Sequence, residues 1–462
     1  MLLIRMSAAD LFIKGYSKEN LNLVFRQSVL GSTAVGVDRV TADNFLDHID
    51  EQTSIISRKV LSGAYSFTSY RQLLEIKNAK DAPRELCIPT VRDRLTLKVL
   101  AAIIVEVFGD LSKTPNPQRT IGEISKAISS KSYSHYVKVD FKHFYNMIDH
   151  ELLFVALRSK IRKKELLGLI ESAITTPATV FGKKAQRKPL GLTSSKGLPQ
   201  GLSISNLLAN VYASRFDRDL LKRLPTIFYR RYVDDIIIFC TEDRIKAINK
   251  TINNLAKRYR LELNLDKCRV GRIASDRFDY LGYEYHADTI SIRGSSKRLI
   301  ENSLERRIKK VARAKEHGGQ REVESSLRSL ARRVTGCRVT YDGVSYQRYG
   351  WLCYFSRIND VAYLAGLDRL VVKFAARYGV RLPKDFPTFK KSYYQMRYNG
   401  RNTSYIPVFD YSAKPEEMRD ALIELVDEEF LNKCTDERLL PLYRKLVHKI
   451  IRSLEKDVGM IS

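Results

Sequence analysis

The sequence predicts an α+β fold in which a small antiparallel sheet is set between helical segments. Short strand-like runs (Tyr136–Phe141, Ile227–Phe239, Phe278–Tyr285) alternate with helix-like ones (His150–Ser159, Ile204–Leu221, Arg244–Tyr259), the mixing expected of that class. Helical patterning dominates before and after this stretch. A chain of 462 residues has ample core for two to four structural units.

Taken in order, residues 1–135 read as mainly helical, with an amphipathic start and the run Leu95 to Phe108 apolar on a broad face. Val137-Lys138-Val139-Asp140-Phe141 alternates as a strand and ends on a carboxylate, which in isolation is a cap or turn residue. Asp149 and His150 follow, a pair that fits a helix cap. Lys196-Gly197-Leu198-Pro199-Gln200-Gly201-Leu202-Ser203-Ile204-Ser205 then precedes an apolar helix from Asn206 to Tyr212. Two glycines and a proline at a helix start permit close backbone approach to a substrate, and the helix N-terminus favours anionic groups.

Tyr232-Val233-Asp234-Asp235 lies between the apolar runs Ile227-Phe228-Tyr229 and Ile236-Ile237-Ile238-Phe239. An isolated Asp pair is a good turn former. Two adjacent carboxylates among β-branched and aromatic residues, however, are costly unless a cation neutralises them. With Asp140, they make three acids on two strand ends, the minimum that can hold two Mg²⁺ beside a triphosphate, as metal-assisted nucleotidyl transfer requires.

After Gly294 the chain turns helical and basic, with 12 Lys or Arg against 5 Glu between Lys297 and Arg333. Leu382-Pro383-Lys384-Asp385-Phe386-Pro387 reads as a boundary. An aromatic segment follows (Tyr393, Tyr394, Tyr398, Tyr405), then a helical tail whose early part, Glu416 to Glu437, carries 9 acidic residues against Arg419 and Lys433. That face cannot be a nucleic-acid groove; it suits a protein contact or the chain's own basic surface. The predicted domains are 1–293, 294–381 and 382–462.

With 80 Lys and Arg against 52 Asp and Glu, the formal charge is +28 and the pI about 9.7, which favours polyanion partners. The 25 Tyr and 19 Phe can supply stacking faces. Cys87, Cys240, Cys268, Cys337, Cys353 and Cys434 are scattered without metal or disulfide spacing, which argues against a zinc module and a disulfide framework. Met1-Leu2-Leu3-Ile4-Arg5-Met6 is too short for a signal peptide, and no run reaches transmembrane length. No membrane partner and a cytoplasmic location are expected.

Together these segments resemble the palm motifs of reverse transcriptases: Asp140 with Phe144-Tyr145, then Leu198-Pro199-Gln200-Gly201, then Tyr232-Val233-Asp234-Asp235. Gly36-Val37-Asp38 with Thr41 and Phe45 looks like the N-terminal motif of the group II intron and retron branch. The run Arg84 to Arg94 is similar to its fingers motif, Leu263-Asn264-Leu265-Asp266-Lys267 to its lysine-bearing motif, and Phe278-Asp279-Tyr280-Leu281-Gly282-Tyr283 to its primer-grip hairpin. Coverage runs from about residue 34 to 285. The resemblance implies a right-hand polymerase, with fingers and palm, a helical thumb and a helical C-terminal extension. The basic run 297–333 looks like the first thumb helices, which track a template–primer duplex; Gly350–Phe355 with Leu367–Leu370 resembles the later thumb, with Trp351 as core.

Roles follow from that resemblance. Asp140 and Asp234 would ligate two Mg²⁺ ions (Mn²⁺ as an alternative), with the Phe141 carbonyl helping and Asp235 completing the acidic set. Tyr145 would exclude a ribose 2′-OH, implying dNTP substrates. Arg84 would meet the triphosphate, assisted by Lys77, Lys80 or Arg92. Gln200 would contact the incoming nucleotide or the template, and Lys267 the leaving pyrophosphate. The implied activity is that of an RNA-directed DNA polymerase with an RNA template and a DNA product.

Val233 and Ser205-Asn206 depart from the Ala and Ser-Pro usual in intron-encoded enzymes, and the chain lacks a nuclease with metal-spaced Cys and His. It looks more like abortive-infection and defence-associated bacterial enzymes. That implies phage defence, a dedicated non-coding RNA, and a homo-oligomer or partner protein engaged through the C-terminal region. The alternatives are a domesticated intron or retron enzyme, a template-independent DNA polymerase, an RNA-dependent RNA polymerase, which Tyr145 argues against, and a non-enzymatic RNA-binding protein.

Overall fold

The computed structural model describes residues 6–75, 83–180, 195–341, 345–399, 403–423, 425–426, 428–456 and 458. Two compact units share the chain: Met1–Pro115 with Tyr133–Gly271, and Asn116–Ser132 with Arg272–Ser462. This division falls at 271/272, whereas the boundary expected from sequence falls at 293/294. The 278–292 segment groups with the C-terminal residues because the Tyr283 hydroxyl donates to the Tyr354 carbonyl at 2.5 Å and its ring packs on Phe355.

In the first unit, β1 (Tyr70–Glu75) and β2 (Arg84–Ile88) form an antiparallel pair with Leu73 opposite Leu86. This pair interrupts the region expected to be mainly helical. Leu73 and Leu74 are both exposed, so the strand carries no in–out alternation to read. The long helix Val91–Phe108 behaves as its composition predicts, burying Leu95, Val99, Leu100, Ile103 and Ile104, with Thr90 as its N-cap.

Strand β3 (His135–Asp140), the short β4 (Ala178–Thr179), β5 (Phe228–Tyr232), β6 (Asp235–Cys240) and β7 (Arg269–Arg272) follow. Four of them make the main sheet, in the order β5-β6-β3-β7, while β4 runs parallel to β1. Strand β6 is buried from Ile236 through Cys240, which is why its sequence is a continuous apolar run. Helices His150–Arg158, Ser205–Arg223 and Ile245–Arg258 form where the sequence expects them. The Ser205–Arg223 helix is the central one, burying Leu208, Val211, Tyr212 and Phe216.

In the second unit, β8 (Phe278–Tyr280), β9 (Tyr283–His286) and β10 (Thr289–Ile292) make a meander. Helices Gly294–His317 and Gln320–Thr335 pack along each other. Strands β11 (Cys337–Thr340), β12 (Tyr346–Tyr349) and β13 (Val408–Asp410) form the second sheet of this unit, with β13 parallel to β11. The C-terminal segment, expected to be mainly helical, therefore also contributes a strand; three residues are too few to show a period. Its helices Pro415–Ile423, Glu428–Asn432 and Asp436–Glu455 complete the unit. Trp351 is core, as expected.

The C-terminal segment does meet the chain's own basic surface, but through backbone carbonyls. Arg333 donates to the Leu454 carbonyl at 2.5 Å, Arg307 to the Ser453 carbonyl at 3.1 Å, and Arg321 to the Ile423 carbonyl at 2.9 Å. These carbonyls lie in the last turns of helices, where no helical amide reaches them and the dipole is negative. Among the described residues, no helix is long and apolar enough to cross a membrane.

Asp149 caps the His150–Arg158 helix by accepting from the Leu152 amide at 3.1 Å, and also receives Arg260 at 2.6 Å. Burial raises its carboxyl pKa, but these two donors outweigh burial and the net shift is downward. The cap's stabilisation is thus complete above the normal Asp range and lost as pH falls through the depressed value. Asp149→Ala should destabilise the fold by about 2 kcal/mol at neutral pH, and Arg260→Met by less, because the cap survives. Urea melts at pH 7 and pH 3 check this: the difference between wild type and Asp149→Ala should shrink at the lower pH.

Candidate active site

The strand pairing decides where the acids stand. In the β3–β6 register Asp140 lies directly opposite Asp235, and in the β5–β6 register Tyr232 lies opposite Asp235. Val233 and Asp234 therefore form a two-residue turn, and all three acidic residues stand at one end of the sheet. Like charges directly opposed on neighbouring strands are destabilising. Burial raises the Asp234 carboxyl pKa, and the charge of Asp140 raises it further, while Lys267 and Arg84 oppose the shift.

Val233 adopts φ +58°, a left-handed conformation that is rare for a β-branched residue. Something must hold it there. Arg231 donates to the Val233 carbonyl at 3.0 Å, and the Phe141 amide donates to the Asp234 carbonyl at 3.4 Å. Arg231 is itself gripped by Asp217, through Nε at 2.8 Å and Nη2 at 2.7 Å. Sequence reasoning misses Arg231 in this role. Its only signal is a cation inside the aromatic strand Phe228-Tyr229-Arg230-Arg231-Tyr232.

Lys267 is brought in by backbone stitching. The Asn264 amide donates to the Asp140 carbonyl at 2.8 Å, and the Lys142 amide to the Glu262 carbonyl at 2.8 Å, which fastens the 262–267 loop to the end of β3. Lys267 Nζ then lies 3.3 Å from both Asp140 carboxylate oxygens. Lys267 is well exposed, so this contact stabilises the fold by at most about 1 kcal/mol and leaves the ammonium available. Among the described residues, no three His, Cys, Asp or Glu side chains converge as metal ligands do. The positive charge against Asp140 here is that of Lys267. The residues nonetheless suit divalent cations, since two neighbouring carboxylates, one of them largely dried, call for positive charge.

Tyr145 sits on the short helix Phe144–Met147, anchored by the Leu198 amide donating to its carbonyl at 2.9 Å. Burial, with the charge of Asp234 adding to it, pushes its phenol up to about 12, so it remains a neutral hydroxyl at working pH. That hydroxyl donates to Asn206 Oδ1 at 3.3 Å. The Phe141 ring is buried, stacked on Phe144 and edge-on to Phe216.

The glycine loop is equally fixed. The Cys87 amide of β2 donates to the Gln200 carbonyl at 2.7 Å. Gly201 has φ +100°, and a Cβ there would lie 2.8 Å from the Cys87 carbonyl oxygen, so only glycine fits. His150 Nε2 bonds the Gly197 carbonyl at 2.7 Å, which makes His150 a support of this loop. Gly36 packs on the backbone of Thr90, where an added Cβ would come within 2.6 Å of Cα. The N-terminal motif thereby seats on the cap of the Val91–Phe108 helix.

Arg84, at the exposed start of β2, is near enough for its charge to act on both Asp234 and Tyr145. Arg92 is committed elsewhere, donating to Gln52 at 2.8 Å and 2.6 Å. Lys77 and Lys80 lie outside the described residues. In the other unit, Tyr393 is buried and donates to the Ile358 carbonyl at 2.6 Å, and Tyr405 accepts from the Thr388 amide at 2.9 Å. Tyr394 and Tyr398 are exposed and stack on each other.

Residues 76–285 match the family model described as "Reverse transcriptase (RNA-dependent DNA polymerase)". The chain is similar to Protein YkfC of Escherichia coli (strain K12), 23% identical over 300 residues that cover 55% of this chain and 76% of that protein. It is also similar to the group II intron-encoded protein LtrA of Lactococcus lactis subsp. cremoris, 28% identical over 198 residues, 42% of this chain and 31% of LtrA. Among solved structures it aligns with telomerase from Candida albicans, determined with a fragment of telomeric RNA, at 12% identity and a TM-score of 0.43, covering 91% of this chain and 67% of that one. The chain thus spans three quarters of YkfC and about a third of LtrA. The acids of β3 and β6, the glycine loop and the lysine loop all fall inside the segment that matches the reverse transcriptase model.

Proposed function

We propose that this chain is an RNA-directed DNA polymerase that adds dNTPs to a 3′-hydroxyl. The observation that carries the reading is the cross-strand pairing of Asp140 with Asp235 beside the strained Val233-Asp234 turn. A primer 3′-oxygen forms the new bond to the α-phosphorus as the bond to the β-phosphate oxygen breaks and pyrophosphate leaves. Two divalent cations, Mg²⁺ or Mn²⁺, supply Lewis acidity and charge neutralisation when bound; Asp140, Asp234 and the Phe141 carbonyl would hold them, with Asp235 completing the set. Arg84 would bind the triphosphate. Lys267, poised on Asp140, would neutralise or protonate the departing pyrophosphate. Tyr145 would close the space beside the sugar 2′-carbon, and Gln200 would contact the incoming nucleotide or its template base.

The RNA template would be engaged by the basic surface. On the Gly294–His317 helix, Arg306, Lys310 and Arg313 are exposed at one-turn spacing, a stripe suited to a phosphate backbone and to the thumb role. A dedicated non-coding RNA and a part in phage defence are the finer reading. They are supported by the compact polymerase with its helical C-terminal extension and by the Val233 and Asn206 departures. The exposed Phe430 and Ile423 of that extension are the surface offered to a second copy or a partner protein.

Asp234→Ala with Asp235→Ala should lower dNTP incorporation on an RNA template by about 10³-fold or more, without unfolding the chain. A folded double variant with wild-type incorporation removes the polymerase reading, and NTPs used as readily as dNTPs would favour an RNA polymerase instead. Arg306→Gln, Lys310→Gln and Arg313→Gln combined should weaken template–primer binding. They should also flatten the slope of log K against log salt by about 0.9 for each phosphate no longer neutralised, roughly 3 in all. Titrations at several salt concentrations read that slope. Plaque counts on cells carrying the wild type or the double Asp variant test the defence role, which requires protection by the first and none by the second.

A further inference from the structure

Tyr145 and the Val233-Asp234 turn are joined by a hydrogen-bonded path that includes none of the three carboxylates. Tyr145 donates to Asn206 Oδ1, and Asn206 Nδ2 donates to Thr114 Oγ1 at 2.7 Å. Asn210 Nδ2 donates to the same Thr114 oxygen at 3.0 Å and to the Ser112 carbonyl at 3.2 Å. Asn210 Oδ1 accepts from Arg231 Nη1 at 3.1 Å, and that nitrogen also reaches the Val233 carbonyl. Asn206 and Asn210 stand one turn apart on the Ser205–Arg223 helix, so a single rigid element carries both. Asn210 and the Arg231 side chain are almost entirely buried, where an abandoned partner is costly. A residue without a side-chain amide at 206 could not both accept from Tyr145 and donate to Thr114.

We propose that Asn206 is a positioning residue for sugar selectivity, and that the Asn206–Thr114–Asn210–Arg231 path ties Tyr145 to the turn bearing Asp234. This rests on the reading of Tyr145 as the sugar-facing residue. The ring of Tyr145 blocks a 2′-hydroxyl only while it is held in one orientation. Its packing on Phe144 sets part of that orientation, and the bond to Asn206 sets the remainder. Thr114 receives two amide donors on one oxygen, which uses both lone pairs and makes it the junction between gate and turn.

The test is a double-mutant cycle on the dNTP-to-NTP ratio of kcat/KM. Asn206→Ala and Tyr145→Phe should each lower that ratio about tenfold, and their combination should go no further, because both delete the same bond. Asn206→Asp keeps an acceptor for Tyr145 and can accept from the Thr114 hydroxyl, so it should restore selectivity. Thr114→Val should lower the ratio and also weaken Mn²⁺ binding several-fold, read by electron paramagnetic resonance in the absence of nucleotide. Thermal melts confirm that each variant is folded. Additive effects of Asn206→Ala and Tyr145→Phe, or wild-type selectivity in Asn206→Ala, overturn the assignment of Asn206. Unchanged Mn²⁺ binding in Thr114→Val overturns the coupling. Tyr145→Ala separates the two levels: if it leaves selectivity intact, the gate reading itself has failed, whereas a collapse there beside an unaffected Asn206→Ala condemns the path alone.

Discussion

Asp140 and Asp235 face each other across adjacent strands, and Asp234 stands one residue away on a half-buried turn where burial raises its carboxyl pKa. Such crowding is unfavourable in a protein interior unless neighbouring groups answer it. Arg84 and Lys267 answer in part, and the rest of the first unit is organised to keep them there. The 262–267 loop is stitched to β3 so that Lys267 arrives at Asp140. Strand β2, which begins with Arg84, is fastened to the glycine loop through Cys87 and Gln200. A site of mutually repelling acids is thereby ringed by backbone contacts that no change of protonation can undo.

The second unit solves a different problem with the same residue types. Its arginines are numerous, but several are spent as caps for helix C-termini. Arg307, Arg321 and Arg333 each end on carbonyls that their own helix leaves without partners. The acidic run 416–437 follows the complementary logic, since Arg419 is spent on the Leu431 and Cys434 carbonyls and on Asp436. Other arginines, Arg306 and Arg313 among them, stay exposed on the Gly294–His317 helix.

How far the sequence is legible follows from the range of each signal. The strands bearing Asp140 and Asp235, the helices at 150, 205 and 245, the Asp149 cap and the Trp351 core can be read from local period and composition. Asp140 and the Asp234-Asp235 pair can be placed on strand ends, but their opposition depends on register, which no local pattern states. Arg231 depends on Asp217 and Asn210, residues on a helix with no periodic relation to β5. The β1–β2 pair exposes leucines, and β13 is short, so neither announces itself. Arg92 resembles a triphosphate ligand by position in its motif, yet Gln52, 40 residues away, takes its guanidinium.

The sheet made by β11, β12 and β13 has a practical meaning for anyone shortening this protein. The Pro-rich stretch at 382–387 looks like a natural place to cut. Cys337 and Val339, however, share one buried cluster with Phe409, Leu422, Tyr443, Val447 and Leu454, and Arg333 reaches the Leu454 carbonyl. A chain ending at Pro387 would leave a buried guanidinium without that acceptor and the face of β11 bare. The working unit therefore runs at least to Leu454, and affinity tags or fusion partners belong beyond the Asp436–Glu455 helix, not in place of it.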